Sequence, residues 1–226
     1  MLPKPYYRTE NGVLYHGDCL DILPHLEPVD LVLTDPPYGI GADKNAYKNS
    51  GRVVGYGNRR VAKKIYADTN WDIKISNEDL IKIINKSKYS VVFGGNYYYL
   101  PAQSCWVVWD KKNYSSKFAD CEIAWTNYGG SIRLVKHLWN GFAREGNEKR
   151  YNHPTQKPVQ VFLFIINLCP IKAETICDPF FGSGTTGVAC ERLGRKWIGI
   201  EIEEKYCEIA AKRIEQENKQ LKIPGC

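Results

Sequence analysis

The sequence lacks the cysteine spacings that mark zinc sites and disulfide frameworks. Its 8 cysteines include no C-x-x-C pair, their gaps are irregular, and several stand inside apolar runs. This pattern is typical of buried free thiols in a reducing compartment. We therefore predict neither a metal centre nor a disulfide framework.

Long apolar runs are also missing. The longest, Val159 to Leu168, is interrupted by Gln160 and Asn167 and is far shorter than the roughly 20 residues that span a bilayer. The first five residues lack the apolar core of a signal peptide. These features predict a cytoplasmic protein. The 226 residues fit one domain, and a chain of this size buries roughly 70% of its unfolded surface.

The net charge of +6 comes from two segments. Residues 39–70 hold seven Lys or Arg against two Asp or Glu, and residues 129–158 hold six against two. These excesses of +5 and +4 leave the rest of the chain at −3. Both segments place glycine and aromatic residues between the charges, which suits contact with a phosphate backbone. For either segment alone, a solvated loop with incidental lysines is the alternative.

Strand-like and helix-like patterns alternate along the chain. The predicted strands are Gly12–His16, Asp30–Thr34, Ser90–Phe93, Cys105–Trp109, Cys121–Thr126, Glu174–Cys177 and Lys196–Ile202. The predicted helices lie around Leu20–Leu26, around Leu80–Ile84 after a cap at Ser76 or Asn77, and at Val159–Leu168, Gly184–Leu193 and Glu203–Lys219. Strands separated by helices predict an α/β fold, with a mostly parallel sheet and helices on both faces.

The first chemical motif, Asp35-Pro36-Pro37-Tyr38, directly follows a predicted strand. Ligands of open α/β sheets bind at the carboxyl ends of strands, so this position suits a catalytic turn. The two prolines hold the backbone extended and remove two N–H donors. The Asp35 carboxylate and the Pro36 carbonyl then form an acceptor-only edge that matches an exocyclic amine, while Tyr38 can stack on a base. A rigid turn without chemistry is the alternative.

The second motif, Asp178-Pro179-Phe180-Phe181-Gly182-Ser183-Gly184, joins a predicted strand to a predicted helix. Its glycines allow a ligand to approach the backbone, and the helix begins with exposed N–H groups. The third glycine of a dinucleotide fingerprint and the lysine of a P-loop are absent. Glu201 follows 23 positions after Asp178, where an acid can bind ribose hydroxyls. The motif predicts a nucleotide-like cofactor without a pyrophosphate, although a plain tight turn is the alternative.

A third motif, His153-Pro154-Thr155-Gln156-Lys157-Pro158, shortly precedes the glycine-rich motif. With these three motifs in this order, the chain resembles the D-P-P-Y amino-methyltransferases of DNA in the permuted order called the beta class. The resemblance covers nearly the whole chain. It implies a Rossmann-like, S-adenosylmethionine-dependent methyltransferase fold with a mostly parallel seven-stranded sheet and an antiparallel hairpin. Asp rather than Ser at position 35 favours adenine N6 over cytosine N4 within this family.

The resemblance also assigns roles in cofactor binding. The glycine-rich loop would line the methionine part of S-adenosylmethionine, Glu201 would take the ribose hydroxyls, and Asp18 would contact the adenine amine. Thr155 and Lys157 would help to hold the carboxylate. The full predicted cofactor set is Asp18, Cys19, Thr155, Lys157, Asp178, Phe180, Phe181, Gly182, Ser183, Gly184, Thr185, Glu201 and Ile202.

The predicted catalytic set is Asp35, Pro36, Pro37 and Tyr38. The sulfonium already activates the methyl group, so no metal or covalent intermediate is needed. Flipping the base costs a few kcal/mol of unstacking, which stacking worth ~1–3 kcal/mol on Tyr38 would partly offset. Carbon methylation would require a nucleophilic Pro-Cys pair, and the chain offers only the reverse order, Cys169-Pro170.

DNA contacts are predicted on the two basic segments, with residues 39–70 as a mobile loop and residues 129–152 as a small target-recognition insertion. Asn and Arg read base edges, whereas Lys mostly meets phosphates, so Asn140 and Arg144 are predicted to contact bases. The predicted DNA-binding set is Lys44, Arg52, Arg59, Arg60, Lys63, Lys64, Trp139, Asn140, Arg144, Lys149 and Arg150. A homodimer and a cognate restriction enzyme stay open. So do two alternative functions, cytosine-N4 methylation and a decayed DNA-binding regulator.

Overall fold

The computed structural model describes residues 1–41, 72–114, 119–140 and 143–221. Within these ranges the strands are β1 (Tyr7–Arg8), β2 (Gly12–His16), β3 (Val29–Thr34), β4 (Ser87–Phe93), β5 (Trp106–Asp110), β6 (Cys121–Thr126), β7 (Arg133–Lys136), β8 (Thr175–Asp178) and β9 (Lys196–Glu201). They form one sheet in the order β1-β2-β9-β8-β3-β4-β6-β5-β7.

The helices of the described ranges are α1 (Cys19–Ile22), α2 (Asn77–Ile84), α3 (Val159–Leu168), α4 (Thr185–Leu193) and α5 (Glu204–Leu221). Short 3-10 turns lie at Leu23–His25 and Gly95–Tyr97. Ser76 caps α2, since its hydroxyl accepts the Asp79 N–H at 3.0 Å. The cap predicted at Ser76 or Asn77 is therefore Ser76.

The centre of the sheet is parallel, from β2 through β9, β8 and β3 to β4. Leu31, Val32 and Leu33 of β3 are completely buried, as expected for a strand covered on both faces. Because these strands run in the same direction, their carboxyl ends lie at one edge of the sheet. That edge carries the motif at Asp35 and the glycine-rich motif.

The other side of the sheet contains the predicted antiparallel hairpin. β6 pairs antiparallel with both β4 and β5, whereas β7 runs parallel to β5 at the outer edge. The prediction of a mostly parallel sheet is confirmed, but the count of seven strands is wrong. Two strands were missed because β1 has only 2 residues and β7 is mostly exposed, so neither shows the apolar alternation by which strands are recognised.

Helices cover both faces, as predicted. On one face, α3, α4 and α5 pack on the central strands in the largest apolar cluster, where Phe93 stacks on Phe162 with ring centroids 5.3 Å apart. On the other face, Ile22 of α1 and Ile83 of α2 pack against Val32. Burying side chains of this size contributes about 1.5–3 kcal/mol each.

None of the helices in the described ranges combines the length and the apolar character needed to cross a bilayer. All seven described cysteines are free thiols, and only Cys121 of these seven is exposed. The same ranges contain no cluster of three or more His, Cys, Asp or Glu that could hold a metal ion.

Candidate active site

The carboxyl ends of β3, β8 and β9 open into one cavity of about 730 Å³. Because β8 lies between β3 and β9, the turns that follow these strands meet side by side. The cavity is lined by residues of all three motifs. Its volume lies within the roughly 300–1,000 Å³ typical of small-molecule sites.

The turn after β3 holds a pair of facing polar groups. The Tyr38 hydroxyl donates a hydrogen bond to the Asp35 carboxylate, and the Tyr38 ring stacks on Tyr97 with centroids 4.9 Å apart. Burial and the charge of Asp35 raise the pKa of Tyr38 well above its ordinary value. Tyr38 therefore remains a protonated donor across the neutral pH range.

The same turn is anchored to two other segments, one after β4 and one before α2. The Tyr98 hydroxyl donates to the Pro37 carbonyl, and Asp72 accepts the Gly39 N–H at 2.9 Å. Gly94 has φ +64°, and a Cβ at this position would lie 2.1 Å from the Tyr38 ring. Only glycine fits here, so the backbone of residue 94 lies directly against Tyr38.

Asp178 closes the glycine-rich loop onto its neighbours. Its buried carboxylate accepts hydrogen bonds from the Thr34 hydroxyl at 2.9 Å, from the Phe180 N–H at 3.1 Å and from the Thr186 hydroxyl. Burial raises the pKa of Asp178 to about 7. Both carboxylate oxygens thus bind the protein, and Asp178, predicted to bind cofactor, ties the end of β3 to the start of α4.

The glycines of the loop are required by their conformation. Gly182 and Gly184 have φ +51° and +77°, and a Cβ at Gly184 would lie 2.9 Å from the Cβ of Ala210 on α5. The Phe181 ring turns into the core and stacks on Trp197 at 5.3 Å. The loop therefore offers its backbone to the cavity, while its aromatic side chain fastens it to β9.

Glu201, at the end of β9, receives two backbone donors. Its carboxylate oxygens accept the Gly182 N–H at 2.7 Å and the Glu203 N–H at 2.8 Å. Burial raises the pKa of Glu201. Since each carboxylate oxygen has two lone pairs, both can still accept a hydroxyl group. The bonds to the loop fix the orientation in which Glu201 faces the cavity.

Next to Glu201 the cavity wall combines acidic and apolar groups. Asp18 is exposed and caps α1 through the Leu20 N–H at 2.8 Å. Ile202 lines the cavity although 62% of it is exposed, and Phe180 lies on the same wall. Cys19 is buried there as a neutral thiol, since burial raises its pKa to about 12. Carboxylates beside apolar surfaces fit the ribose, the amine and the flat base of an adenosine group.

Lys157 contacts the catalytic motif in this structure. Its ammonium pairs with Asp35 and lies 3.3 Å from Glu122 of β6. Burial by itself would lower the pKa of Lys157, but the two carboxylates outweigh it and raise the pKa above its ordinary value. The resemblance implied that Lys157 holds the cofactor carboxylate, whereas the structure places it on Asp35. Thr155 lines the same cavity, and Thr185 donates to the Lys157 carbonyl at 3.0 Å.

Arg213 on α5 was missed by the sequence analysis. It is buried and donates to the Ser183 carbonyl at 3.1 Å and to the Thr185 hydroxyl at 2.9 Å. Its other nitrogen pairs with Glu148 at 2.7 Å. Burial lowers the pKa of Arg213, and the Glu148 charge opposes that change. The available signal was an arginine beside Ile214 on the apolar face of a helix, where charges need a partner.

Glu122 was missed as well. It lies on β6, outside the three motifs, and also pairs with Lys111. Burial would raise the pKa of Glu122, but Lys157 and Lys111 lower it below its ordinary value. A lone acid inside a predicted strand was the only sequence signal.

The predicted recognition segment folds against the cavity. Trp139 is 3% exposed, lines the cavity and donates its indole N–H to the Gln156 carbonyl at 2.9 Å. Asn140 donates to Asn113 at 3.1 Å and accepts the Ala143 N–H at 2.7 Å. Both side chains thus make contacts within the protein, and their contacts with DNA stay a prediction.

The basic members of this segment are placed differently. Arg144 and Lys149 are exposed, whereas the Arg150 guanidinium lies over the Trp139 ring and donates to the Asn140 carbonyl at 2.9 Å. The remaining residues of the predicted DNA-binding set lie outside the described residues: Lys44, Arg52, Arg59, Arg60, Lys63 and Lys64.

The α/β fold thus places the turn at Asp35 and the glycine-rich loop side by side in one cavity. A family model described as DNA methylase matches residues 53–212, and the chain belongs to this family of N6 and N4 methyltransferases. This membership confirms the predicted class, in which S-adenosylmethionine is the methyl donor.

Two curated relatives match nearly the whole chain. The type II methyltransferase M2.LlaDCHI of Lactococcus lactis subsp. cremoris is 29% identical over 253 residues, covering 95% of this chain and 93% of the relative. The type II methyltransferase M2.DpnII of Streptococcus pneumoniae is also 29% identical, covering 96% of this chain and 95% of the relative.

Solved structures agree on the fold. The PvuII DNA methyltransferase (cytosine-N4-specific) matches with a TM-score of 0.59 at 20% identity, over 96% of this chain and 95% of that chain. The M1.HpyAVI-SAM complex matches with a TM-score of 0.53 at 24% identity, over 88% of this chain and 98% of that chain. Both comparisons confirm the predicted methyltransferase fold.

Proposed function

We propose that this protein transfers the methyl group of S-adenosylmethionine to the N6 amine of adenine within a specific DNA sequence. One observation carries the proposal: Asp35 and Tyr38 line the same cavity as Gly182 and Glu201. The turn that would accept the amine and the acid that would bind the ribose therefore share one cavity. The type II methyltransferases among the relatives support DNA as the substrate.

The chain would bind the cofactor through its acidic residues and its glycine-rich loop. Glu201 would accept the ribose hydroxyls and Asp18 the adenine amine, while Phe180 and Ile202 would cover the faces of the base. S-adenosylmethionine, when bound, supplies a methyl group that its sulfonium already activates. The loop around Gly182 would place that end of the cofactor opposite the turn after β3.

The turn would orient the target amine. The Asp35 carboxylate and the Pro36 carbonyl would accept its two hydrogens and so leave the nitrogen lone pair pointing at the methyl carbon. Tyr38 would stack on the flipped base, and Pro37 keeps the turn extended. Holding donor and acceptor in line in this way supplies most of the rate.

Adenine is favoured because the first residue of the turn is Asp35, in the motif that resembles the adenine-specific members. Cytosine N4 is the second candidate, since the fold also matches the cytosine-N4-specific PvuII DNA methyltransferase. Both amines present two hydrogens to the same acceptor edge.

Target recognition would come from exposed basic residues around the cavity. Arg144 would read a base edge, and Lys149 would contact a phosphate. Arg150 and Asn140 would hold the segment that carries them. A restriction enzyme acting at the same site would complete a type II pair in the cytoplasm, and two copies of the chain could act on the two DNA strands.

The decisive experiment is methyl transfer from labelled S-adenosylmethionine to unmethylated bacterial DNA, followed by hydrolysis and mass spectrometry of the nucleosides. We expect N6-methyladenine, and long-read sequencing of the same DNA should give one short target. N4-methylcytosine would overturn the choice of base. No label in DNA, with Asp35→Ala as the background control, would overturn the enzymatic proposal.

A further inference from the structure

A chain of alternating charges runs along the wall of the cavity, beside the turn after β3. Lys111, just after β5, pairs with Glu122 of β6, which lies 3.3 Å from the ammonium of Lys157, which in turn pairs with Asp35. The side chain of Lys157 is 8% exposed and that of Glu122 is 25% exposed. This chain of charged side chains therefore runs from the antiparallel hairpin to the parallel part of the sheet, and its members are largely buried.

The charges in this chain depend on one another. A buried ammonium needs a counter-charge, and Lys157 has two of them, Asp35 and Glu122. Aromatic rings occupy much of the remaining space, with the Phe93 and Tyr38 centroids 5.4 and 5.9 Å from the ammonium. On the segment of Lys157 itself, His153 stays neutral, because burial and the Lys157 charge lower its pKa to about 3.

We propose that Glu122 and Lys111 are positioning residues for methyl transfer: they hold the Lys157 ammonium against Asp35, so that its carboxylate stays aimed into the cavity. Neither residue belongs to the catalytic, cofactor or DNA-binding sets that the motifs define. The inference rests on the proposed function, since it names the groups that prepare Asp35 for that reaction. The hairpin β5–β6 thereby acts on a turn that follows β3.

The position of Lys157 makes the role testable through pH. Only the protonated ammonium can hold Asp35, so activity should fall as pH rises through the pKa of Lys157. Glu122 raises that pKa, together with Asp35. Glu122→Gln removes one negative charge and leaves a side chain of similar size, so the alkaline loss of activity should move to lower pH.

The experiment measures the single-turnover rate of methyl transfer to DNA between pH 6 and pH 10, with saturating S-adenosylmethionine. For Glu122→Gln we expect a rate at least tenfold lower at pH 8 and a further loss of activity toward pH 10, whereas the wild type should show no alkaline loss in this range because its Lys157 stays protonated. Calorimetry should give a cofactor Kd within threefold of the wild type. Glu122→Asp, which keeps the charge, should restore the flat pH profile of the wild type.

Glu78→Gln is the matched control, because Glu78 pairs with Lys82 on the exposed face of α2 and should leave rate and pH profile unchanged. If Glu122→Gln does not fold, the double variant Lys111→Met/Glu122→Gln removes the unpaired cation and provides the same comparison with the wild type. An unaltered rate and pH profile in an active, folded Glu122 variant would overturn the inference alone. Failure of the wild type to methylate any DNA would instead reject the proposed function, and the inference with it.

Discussion

At the scale of single residues, the orientation of the Asp35 carboxylate is set by the two side chains that bind it. Tyr38 donates to one oxygen of its carboxylate and Lys157 pairs with the other. Each oxygen has a second lone pair that can accept an amine hydrogen. The carboxylate is therefore oriented before a base arrives, and orientation prepared in advance is the main source of electrostatic catalysis.

Asp35→Ala should abolish methyl transfer while cofactor binding stays within a few fold. Loss of a preorganised electrostatic group lowers the rate by on the order of 10²–10³, and the acceptor edge loses its only charged member. Single-turnover kinetics measure the first effect and calorimetry with S-adenosylmethionine the second. A large loss of cofactor affinity in a folded variant would contradict the assigned role.

Arg213 shows how a charge can serve the site without lining it. The guanidinium joins Ser183 and Thr185 of the loop to Glu148. Arg213→Met removes one partner of a buried ion pair, so the free energy of unfolding should fall by about 3–5 kcal/mol. Chemical denaturation monitored by circular dichroism measures the change.

The control for that variant is Arg192→Met. Arg192 pairs with Glu217 nearer the surface, with 35% of its side chain exposed. Exposed pairs contribute about 0–1 kcal/mol, so this variant should lose much less stability. Equal losses of stability in both variants would show that burial does not determine how much Arg213 contributes to the free energy of unfolding.

At the scale of elements, the glycine-rich loop depends on how closely α5 approaches it. Gly184 combines a left-handed backbone with an approach of 2.9 Å to Ala210 for any added Cβ, whereas Gly194 has φ +60° with no atom within 4 Å. The two glycines therefore share a backbone conformation and differ in packing. Their comparison separates the two effects.

Gly184→Ala should destabilise the fold more than Gly194→Ala and should also weaken cofactor binding. The left-handed backbone costs each alanine about 1 kcal/mol, and overpacking adds about 1–3 kcal/mol at Gly184 only. Urea unfolding gives the stability difference, and calorimetry gives the affinity for S-adenosylmethionine. Similar values for the two variants would refute the packing argument.

The same scale explains which elements could be predicted. β3, β8 and β9 are short apolar runs bounded by turn residues, and the prediction placed each of them to within one or two residues. β7 was missed because most of its residues are exposed at the edge of the sheet. An exposed edge strand lacks the alternation of apolar and polar residues that would distinguish its sequence from that of a loop.

At the scale of the whole molecule, the protein is divided by charge. An excess of +9 lies in residues 39–70 and 129–158, and an excess of −3 lies in the rest. Arg144 and Lys149 are exposed in the second of these segments. A positive region beside the cavity would attract DNA through counterion release, which makes binding depend strongly on salt.

The variants Lys149→Ala and Arg144→Ala should therefore change DNA binding in different ways. A phosphate contact carries no sequence information, so Lys149→Ala should weaken binding to all sequences and lower the slope of log K against log salt by about 1. Arg144→Ala should relax the target at one position, as a base contact is worth about 1–3 kcal/mol of discrimination. Fluorescence titration at several salt concentrations and methylation mapping provide the readouts. An unchanged methylated sequence in Arg144→Ala would reject its base contact.

The class of the protein and the edge of the sheet that carries the site could both be predicted from local sequence patterns. Asp35 and the loop at Gly182 each follow a predicted strand, and Glu201 lies near the end of another. Parallel strands necessarily bring such positions to one edge of the sheet. Local patterns suffice for that inference because apolar periodicity and turn residues act over a few neighbouring positions.

The pairing of the buried charges, in contrast, became visible only in the folded chain. Lys157 is 122 residues from Asp35, Glu122 comes from the hairpin, and Arg213 reaches the loop from the last helix of the described ranges. Ion pairs between such distant residues leave no periodic trace in the sequence, because they are selected by the packing of elements and by the need of each buried charge for a partner.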